Sequence, residues 1–471
     1  MKMKKILFSI LLFSGFANAQ PIAYDVKLGA EAAEQFVVQI GQYANPKLHN
    51  YVNEVGYKLV ENLSEEMFEY TFTILDDPTP NAFALPGGFV FVTRGLLVLV
   101  QNVDELACVL AHEIVHVQKR HSVKQMKRGV IPNILLIPGK VLESLGGGRL
   151  GKVLNAPIEA GTGLFTASYS RKHESESDRL GILLAARAGF DPSALSGILE
   201  RIITWEESLN DTVEKRSYYS DHPYTPDRTA QIEKIAPGLT WQANEIHDQD
   251  FVEIFDNMLF WNNPKKGVFV ENTFIHPPLD ISITFPKGWS YFNHFNSVGG
   301  LDQEGGRVMV LSVSSMEKSP QTLAQEYIEE IQKKHRKLDL ESKKAEYSGL
   351  ESHYLKITEK LGRDQMHLYM IWIKYEEFVY KITALSPDDI DPLIDATANS
   401  FDSISDEDKN LVTKYEMTFV KTQEGELIEK ASTRNNNILN KELLLILNEM
   451  NEEDSKVNSD LLRVVVELPF Y

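Results

Sequence analysis

Residues 105–118, ELACVLAHEIVHVQ, decide the fold of the first half of this 471-residue chain. Apolar residues recur at helical spacing through the stretch and polar residues lie at its ends, so it predicts a helix. His112, Glu113 and His116 form an H-E-x-x-H sequence inside it. Because residues four apart lie one above the other on a helix, both imidazoles can bind one metal ion with Glu113 beside it. The alternative is a buried amphipathic helix with two incidental histidines.

A second segment offers a further metal ligand. A catalytic zinc site uses three protein ligands and leaves one position open for water, so a histidine pair needs a third ligand. Residues 170–181, SRKHESESDRLG, supply one if they are helical. Glu174 and Asp178 then share a face, so one can bind zinc while the other accepts the outer N–H of a liganding histidine. Glu176 would point elsewhere. Taken alone, the run is equally typical of a solvated, charged helix start.

These two segments belong to a series of four motifs, the others being NAFALPGGFVFVT at residues 81–93 and SDHPYTPDR at residues 220–228. In this order they resemble the HtpX and CaaX-prenyl-protease type of zinc metallopeptidase, a gluzincin family, and most of all its soluble periplasmic BepA-like branch. The resemblance implies one Zn²⁺ per chain, bound by His112, His116 and Glu174. It also implies that Glu113 is the general base and that Asp178 orients a liganding histidine.

The last motif contributes two further candidate catalytic residues. Zinc would activate a water molecule for attack on the peptide carbonyl, and Glu113 would pass the water proton to the leaving amine. His222 and Arg228 are predicted to stabilise the developing oxyanion. In relatives the histidine of this His-Pro sequence also approaches the metal and blocks the open position. Its role therefore stays open between stabilising the oxyanion, closing the site and serving as an ordinary loop residue.

Gly88, Phe89, Val90 and Phe91 are predicted to bind substrate. They follow a Pro-Gly turn in a stretch rich in aromatic and β-branched residues, which predicts a strand. Because the family places this strand beside its zinc cleft, we expect an exposed edge that pairs with an extended substrate backbone. The alternative is an ordinary core strand.

Residues 1–19 are typical of a secretory signal peptide, with a basic start, an apolar core over residues 6–16 and an A-x-A site at residues 17–19. That core is too short to span a bilayer. We therefore expect the protein to lie in a bacterial periplasm, either free or bound peripherally to the outer membrane. Removal of the peptide would move the formal charge from −19 to about −22, which argues against nucleic acid as a partner. The lone Cys108 cannot form an internal disulfide and is expected to be buried.

The predicted fold class is α+β multidomain. A mainly helical zincin peptidase domain with a small sheet is expected over residues 20–245, followed by a linker over 246–273. The apolar, Gly-rich stretch at 131–165 is expected either to pack around the cleft or to cover it. An α+β sheet domain is expected over 274–404, with strands at 279–286, 307–313, 353–357, 365–374 and 377–384.

The end of the chain is predicted to form a small βααβ module over residues 405–471. Its order of strand, helix, helix and strand weakly resembles a LysM module, which can bind peptidoglycan. A packing unit without affinity for glycan is the alternative. The preceding sheet domain carries FPKGW at residues 285–289, a sequence that recurs in a sheet domain of some periplasmic relatives. Neither segment shows a catalytic cluster, so scaffold or partner-binding roles are expected.

Two functions of different classes follow. The first is a zinc-dependent endopeptidase of the bacterial periplasm that cleaves misfolded or unassembled envelope proteins, with the outer-membrane assembly machinery or peptidoglycan as partner. The second is a chaperone-like or scaffold protein of the same fold with a self-inhibited zinc site. Glu113 beside a complete ligand set favours the enzyme, because a pure scaffold needs no general base.

Overall fold

A computed structural model describes residues 19–127, 133–134, 165–166, 169–209, 218–334, 339–361, 364–423, 425–451, 456–457 and 460–471. The predicted signal peptide lies outside the described residues except for Ala19. The Gly-rich stretch at 131–165 also lies outside them, apart from residues 133–134 and 165.

The secondary structure alternates between helical and extended segments. In the described residues the helices are α1 (Ala19–Ile40), α2 (Pro46–Val60), α3 (Arg94–Leu99), α4 (Val103–Gln118), α5 (His121–Lys127), α6 (Arg171–Ala188), α7 (Ala194–Ser208), α8 (Tyr218–Asp221), α9 (Pro226–Ile235), α10 (Phe251–Phe255), α11 (Pro320–Lys334), α12 (Asp391–Asn399), α13 (Asp406–Leu411), α14 (Ile428–Arg434) and α15 (Lys441–Leu447). The strands are β1 (Thr71–Leu75), β2 (Ala82–Leu85), β3 (Phe89–Thr93), β4 (Asn133–Ile134), β5 (Phe165–Thr166), β6 (Met258–Leu259), β7 (Val268–Val270), β8 (Thr273–His276), β9 (Ile281–Thr284), β10 (Ser290–His294), β11 (Ser297–Asp302), β12 (Arg307–Ser315), β13 (Asp339–Tyr347), β14 (Leu350–Leu361), β15 (Asp364–Tyr375), β16 (Phe378–Ser386), β17 (Thr413–Lys421) and β18 (Leu461–Pro469).

The described residues fall into two compact units that are discontinuous in sequence. The first combines the described residues up to Trp261 with Tyr415–Leu468, and the second combines Asn262–Lys414 with Pro469–Tyr471. The first unit is mainly helical with small sheets, and the second is built on a large antiparallel sheet. The prediction of an α+β multidomain fold is confirmed. Among the described helices, none combines the length and apolarity that crossing a bilayer requires.

Helix α4 lies in the core of the first unit. Nearly all of its residues from Val103 to Val117 are buried, and Cys108 is fully buried, as predicted. Helix α6 packs along α4, and Gly181 makes this close approach possible, since a Cβ there would lie 3.1 Å from the main-chain nitrogen of His112. The packing brings the two motif-bearing helices face to face.

The small sheet beside α4 has the order β1-β3-β2, so β3 is its central strand. It pairs in parallel with β1 and antiparallel with β2, and Phe91 lies between Thr73 and Phe83. The prediction that Gly88, Phe89, Val90 and Phe91 form an exposed edge is therefore wrong. Apolar residues on both faces of this strand are typical of a strand buried between neighbours.

Gly88 also has a structural reason to be glycine. Its φ is +106°, and a Cβ there would lie 2.0 Å from the carbonyl oxygen of Glu69. β2 is one of the two outer strands of this sheet, and all four of its residues are buried. Because Thr93 donates its main-chain N–H to the carbonyl of Asn81 at 2.8 Å, alternation turns the main-chain groups of Ala82 and Ala84 away from β3.

The predicted order of strand, helix, helix and strand after residue 413 is present as β17, α14, α15 and β18. Leu444, Leu447 and Val464 belong to the same buried apolar cluster as α4 and α7. Arg463 donates from Nη1 to the carbonyl oxygen of Val100 at 2.7 Å. The segment is thus part of the first unit's core. That it is a LysM module stays a prediction.

The second unit contains a seven-stranded antiparallel sheet with the order β10-β11-β12-β16-β15-β14-β13. The five strands predicted for this region appear as β9, β12, β14, β15 and β16, and α11 packs on β14 and β15. In the sequence this unit is inserted between β6 and β17 of the first unit, which pair antiparallel with Met258 opposite Met417. The main-chain nitrogen of Phe260 donates to the carbonyl of Tyr415 at 2.7 Å.

Candidate metal centre

Helix α4 presents the H-E-x-x-H residues to a closed interior. Its start is fixed by Asn102, whose side chain accepts from the main-chain N–H of Glu105 at 3.0 Å. Helix α6 starts in the same way, with Ser170 accepting from the main-chain N–H of His173 at 3.3 Å. Two capped helices with rigid starts therefore set the positions of the side chains that face each other between them.

Four buried side chains converge at this place. Ligand atoms of His112, His116, Glu174 and His222 all lie within 4.8 Å of one another. The Nε2 atoms of the two α4 histidines are 2.9 Å apart, and His116 Nε2 is 3.3 Å from Glu174 Oε1. Glu174 and both α4 histidines are at most 1% exposed.

This donor set fits zinc. Two imidazole nitrogens and one carboxylate oxygen are the ligands of many catalytic zinc sites, and atoms sharing one tetrahedral zinc lie roughly 3.3 Å apart. Two Nε2 atoms at 2.9 Å leave room for one proton or one cation between them, not for two N–H groups. The predicted third ligand, Glu174, lies against this pair, whereas Glu176 does not belong to the cluster.

The close approach of His112 and His116 also affects their pKa values. Burial acts to lower the pKa of His112, but bonds to Asp178 and Glu174 outweigh it and raise that pKa to about 9. Burial together with His112 holds the pKa of His116 well below its usual value. Burial also acts on Glu174, but the charge of His222 and bonds to the facing imidazoles keep its pKa well below the usual value. The carboxylate is therefore ready to bind a cation.

Asp178 lies where the sequence predicts it. Its Oδ1 is 2.9 Å from Nδ1 of His112, the nitrogen that points away from the cluster. Arg228 holds the same carboxylate through Nε at 2.7 Å and Nη2 at 2.8 Å. Such a partner fixes which nitrogen of His112 is free to bind metal.

Arg228 is engaged with carboxylates. Besides Asp178, its Nη1 lies 2.9 Å from Glu174 Oε2. Burial acts to lower the pKa of Arg228, but the two carboxylates outweigh it and raise the pKa. This geometry makes Arg228 a residue that positions the ligand and its partner. The predicted role of an oxyanion donor would require these ion pairs to open.

Glu113 is fully buried, and neither of its carboxylate oxygens has a hydrogen-bond partner among the described residues. Its Oε1 lies 3.4 Å from His222 Nε2. Burial is the main cause that raises the pKa of Glu113, partly opposed by His222 and His112. A carboxylate with a raised pKa and free oxygens is suited to take and return a proton.

His222 reaches both the ligands and the base. Its Nδ1 is 3.2 Å from Glu174 Oε2 and 3.3 Å from His112 Nε2. Its ring stacks on Tyr218 at a centroid distance of 4.5 Å, and its main-chain N–H donates to the Tyr218 carbonyl at 2.8 Å. The His-Pro motif thus adds a third imidazole, as a fourth potential ligand, to the metal cluster itself.

Two residues of the site were missed by sequence reasoning. His121 Nδ1 lies 3.2 Å from His116 Nδ1, so it is the outer partner of the second histidine, and its Nε2 lies 3.3 Å from Glu176 Oε2. Tyr169 covers the ring of His116 at a centroid distance of 3.8 Å. Arg120, at φ +52°, breaks the helix and returns His121 toward the metal cluster, so helical spacing could not reveal it.

Comparison with known proteins agrees with this geometry. Residues 45–236 match the peptidase family M48. The chain is 29% identical over 223 residues to the mitochondrial metalloendopeptidase OMA1 of Schizosaccharomyces pombe, covering 47% of this chain and 63% of that protein. It is 32% identical over 201 residues to OMA1 of Saccharomyces cerevisiae, covering 42% and 55%. It is 32% identical over 162 residues to the beta-barrel assembly-enhancing protease of Escherichia coli, covering 34% and 33%.

Two helix-borne histidines, a glutamate from a second helix and a buried carboxylate beside them are the arrangement typical of metallopeptidases of the H-E-x-x-H type. Residues 45–236, which match the model of peptidase family M48, contain all of these side chains, and the ligand atoms of His112, His116 and Glu174 lie together in one buried cluster. The matches span from one third to just under two thirds of the length of these relatives.

Proposed function

We propose that the chain is a zinc-dependent endopeptidase that works outside the bacterial cytoplasm, in the periplasm, on misfolded or unassembled envelope proteins. The observation that carries the proposal is the convergence of His112, His116 and Glu174 beside Glu113, whose oxygens are free. A scaffold has no need of a buried carboxylate whose oxygens accept no hydrogen bond, since burying such a group costs free energy.

The chain's own residues divide the chemical work among them. Bound by the two histidines and Glu174, zinc would supply Lewis acidity to a water molecule and to the peptide carbonyl. Glu113 takes the proton of the attacking water and delivers it to the leaving amine. Arg228 keeps Asp178 and Glu174 ionised and in place. Closed packing around the cluster excludes bulk water, which strengthens these electrostatic interactions.

The substrate backbone is proposed to pair with β2. The main-chain groups of Ala82 and Ala84 face the outer edge of the sheet, where both residues are buried and the hydroxyl of Tyr169 donates to the carbonyl oxygen of Ala84 at 3.5 Å, so pairing requires this edge to be uncovered. An extended peptide can add a strand to such an edge through main-chain hydrogen bonds alone. Recognition of this kind tolerates many sequences and requires an unfolded segment, which suits a protease of misfolded proteins.

Three observations support the envelope as the place of action. The first nineteen residues have the pattern of a secretory signal peptide. One relative is named a beta-barrel assembly-enhancing protease, which points to outer-membrane assembly machinery as a partner. The order of elements in the tail resembles a peptidoglycan-binding module. Retention of the folded full chain on purified peptidoglycan, with release by soluble peptidoglycan fragments, would support the last point.

Substitution of Glu113 tests the activity. We expect Glu113→Gln to abolish hydrolysis of unfolded casein while bound zinc, measured by atomic absorption, stays at one per chain, because Glu113 is not a ligand. By contrast, Glu174→Gln should lower both the zinc content and hydrolysis. Arg179→Gln, an exposed change on the same helix, is the control and should keep both. Loss of zinc from the Glu113 variant would reject its role as base.

A self-inhibited site is the second candidate, and the position of His222 favours it. With Nδ1 at 3.2 Å from Glu174 and Nε2 at 3.4 Å from Glu113, the ring occupies space that a substrate carbonyl would need. If His222 closes the site, His222→Ala should increase basal casein hydrolysis. If it stabilises the oxyanion, the same variant should lose about two orders of magnitude in turnover with zinc retained. An unchanged rate would exclude both roles.

A further inference from the structure

The first unit contains a cavity of about 480 Å³ that shares no lining residue with the metal cluster. Its walls come from four separate parts of the chain: Tyr51 of α2, the start of α4, residues 246–252, and the C-terminal segment with Arg463. The volume is in the range that holds a small ligand.

Arg463 lines this cavity and is only 4% exposed, so its positive charge is buried. Nη1 donates to the carbonyl oxygens of Val98 at 3.1 Å and Val100 at 2.7 Å. The guanidinium lies over the rings of Phe251, at 5.6 Å, and Phe419, at 5.1 Å. These contacts fix the plane of the guanidinium and leave Nε without a protein acceptor among the described residues.

The charge of Arg463 lacks a direct counter-ion. Among the described residues, no carboxylate lies within ion-pair distance of it; the nearby Glu105 and Glu449 instead bind Arg201, at 2.7 Å and 2.9 Å. Burial lowers the pKa of Arg463 to about 10, which shows how poorly its charge is compensated. A buried cation that has carbonyl and aromatic partners but no counter-ion is still costly, so an anion bound here would stabilise it.

The rest of the lining limits the kind of anion. Val252, Leu461 and the two phenylalanines give the cavity apolar walls. Asp104 also lines it, but its Oδ1 is occupied by the main-chain N–H of Asp191 at 2.8 Å and by His247 Nε2 at 2.9 Å. A ligand that combines one carboxylate with an apolar group would match both features.

We propose that this cavity binds the carboxylate of an apolar ligand, namely the free C-terminus of a peptide ending in an apolar residue, through the guanidinium of Arg463. The carboxylate meets the open Nε side of the fork, where a charge-assisted bond forms, and the terminal side chain packs between the apolar walls. The site is separate from the proposed hydrolysis and stands whether or not the chain cleaves peptides.

Calorimetry on the full chain carrying Glu113→Gln, which keeps peptides intact, tests the proposal. The probes are N-acetyl-dialanyl-phenylalanine as free acid, the same peptide as C-terminal amide, and N-acetylphenylalanine. We expect the amide to bind at least about tenfold more weakly than the acid, because it cannot accept a charge-assisted bond. N-acetylphenylalanine matching the tripeptide would identify a small carboxylate as the ligand, and much weaker binding would identify a peptide terminus.

Substitutions locate the site. Arg463→Met should remove the difference between acid and amide. If that variant does not fold, a substitution of Gln249, which lies at the cavity wall, serves instead. Gln249→Glu should weaken binding of the acid about fivefold by charge repulsion and leave binding of the amide unaffected. Gln249→Ala is the control and should change the binding of neither peptide. The proposal would be overturned if the parent chain bound acid and amide equally or did not bind the acid. It would also be overturned if the difference between acid and amide survived Arg463→Met or was unaffected by Gln249→Glu.

Discussion

At the scale of single residues, the centre depends on partners that never touch the metal. Asp178 accepts from the outer nitrogen of His112 and is itself held by two bonds from Arg228. We expect Asp178→Asn to weaken zinc binding about 10- to 100-fold, because the amide can reverse and no longer fixes the tautomer of His112. Competition with a chromogenic chelator measures the affinity. Asp227→Asn, an exposed change on α9, is the control, and equal affinities of both variants would contradict the role.

The ligands could be predicted from sequence because each pair lies on one continuous helix. His112 and His116, and likewise Glu174 and Asp178, are four residues apart, so helical geometry alone brings each pair to one face. His121 could not be predicted in this way. It returns to His116 through the left-handed conformation of Arg120, and the sequence gives no local signal for a positive φ at arginine.

At the scale of elements, the error in the sheet has a plain cause. An apolar run with aromatic and β-branched residues predicts a strand, but it does not tell whether the strand has one neighbour or two. Phe89–Thr93 has two. The outer strand Ala82–Leu85 precedes it and is shorter. The order of strands in a sheet depends on which distant segments of the chain pair with each other. The periodicity of apolar residues within one segment carries no information about that pairing.

The position of β2 as an outer strand leads to a prediction about substrate binding. Ala84→Pro removes an N–H that β3 does not use, so the sheet should persist. We expect KM for unfolded casein to rise about tenfold, as the loss of one main-chain hydrogen bond predicts. Ala84→Ser keeps the N–H and is the matched control. An unchanged KM in a proline variant with parental zinc content and unfolding temperature would show that substrates do not pair with β2.

At the scale of the whole molecule, the second unit is an insertion in the first. Its ends join β6 and β17, where the main chains of Phe260 and Tyr415 are hydrogen-bonded at 2.7 Å. A short Asn-Gly turn can therefore replace Asn262–Lys414 and close a hairpin. We expect this internal deletion to keep zinc binding and casein hydrolysis.

Removal of the C-terminal segment should have the opposite effect. A chain that ends at Lys414 loses Leu444, Leu447 and Val464 from the core cluster of α4 and leaves the apolar faces of α3 and α7 uncovered. We expect it to be insoluble or to unfold at a much lower temperature, since each lost large side chain costs about 2–5 kcal/mol. The comparison is made by calorimetric unfolding of both shortened chains. A stable, active chain ending at Lys414 would contradict the shared core.

The insertion also bears on how the protein is made. During synthesis, all metal-cluster residues leave the ribosome early, but β18, which completes their supporting core, follows only after the entire inserted unit. Segments far apart in sequence must meet before the core closes, and such long-range pairing is slow. A nascent or prematurely terminated chain would therefore contain the residues of the metal cluster without the completed hydrophobic core that positions them. Proteolytic competence would come last, once translation has passed the final strand.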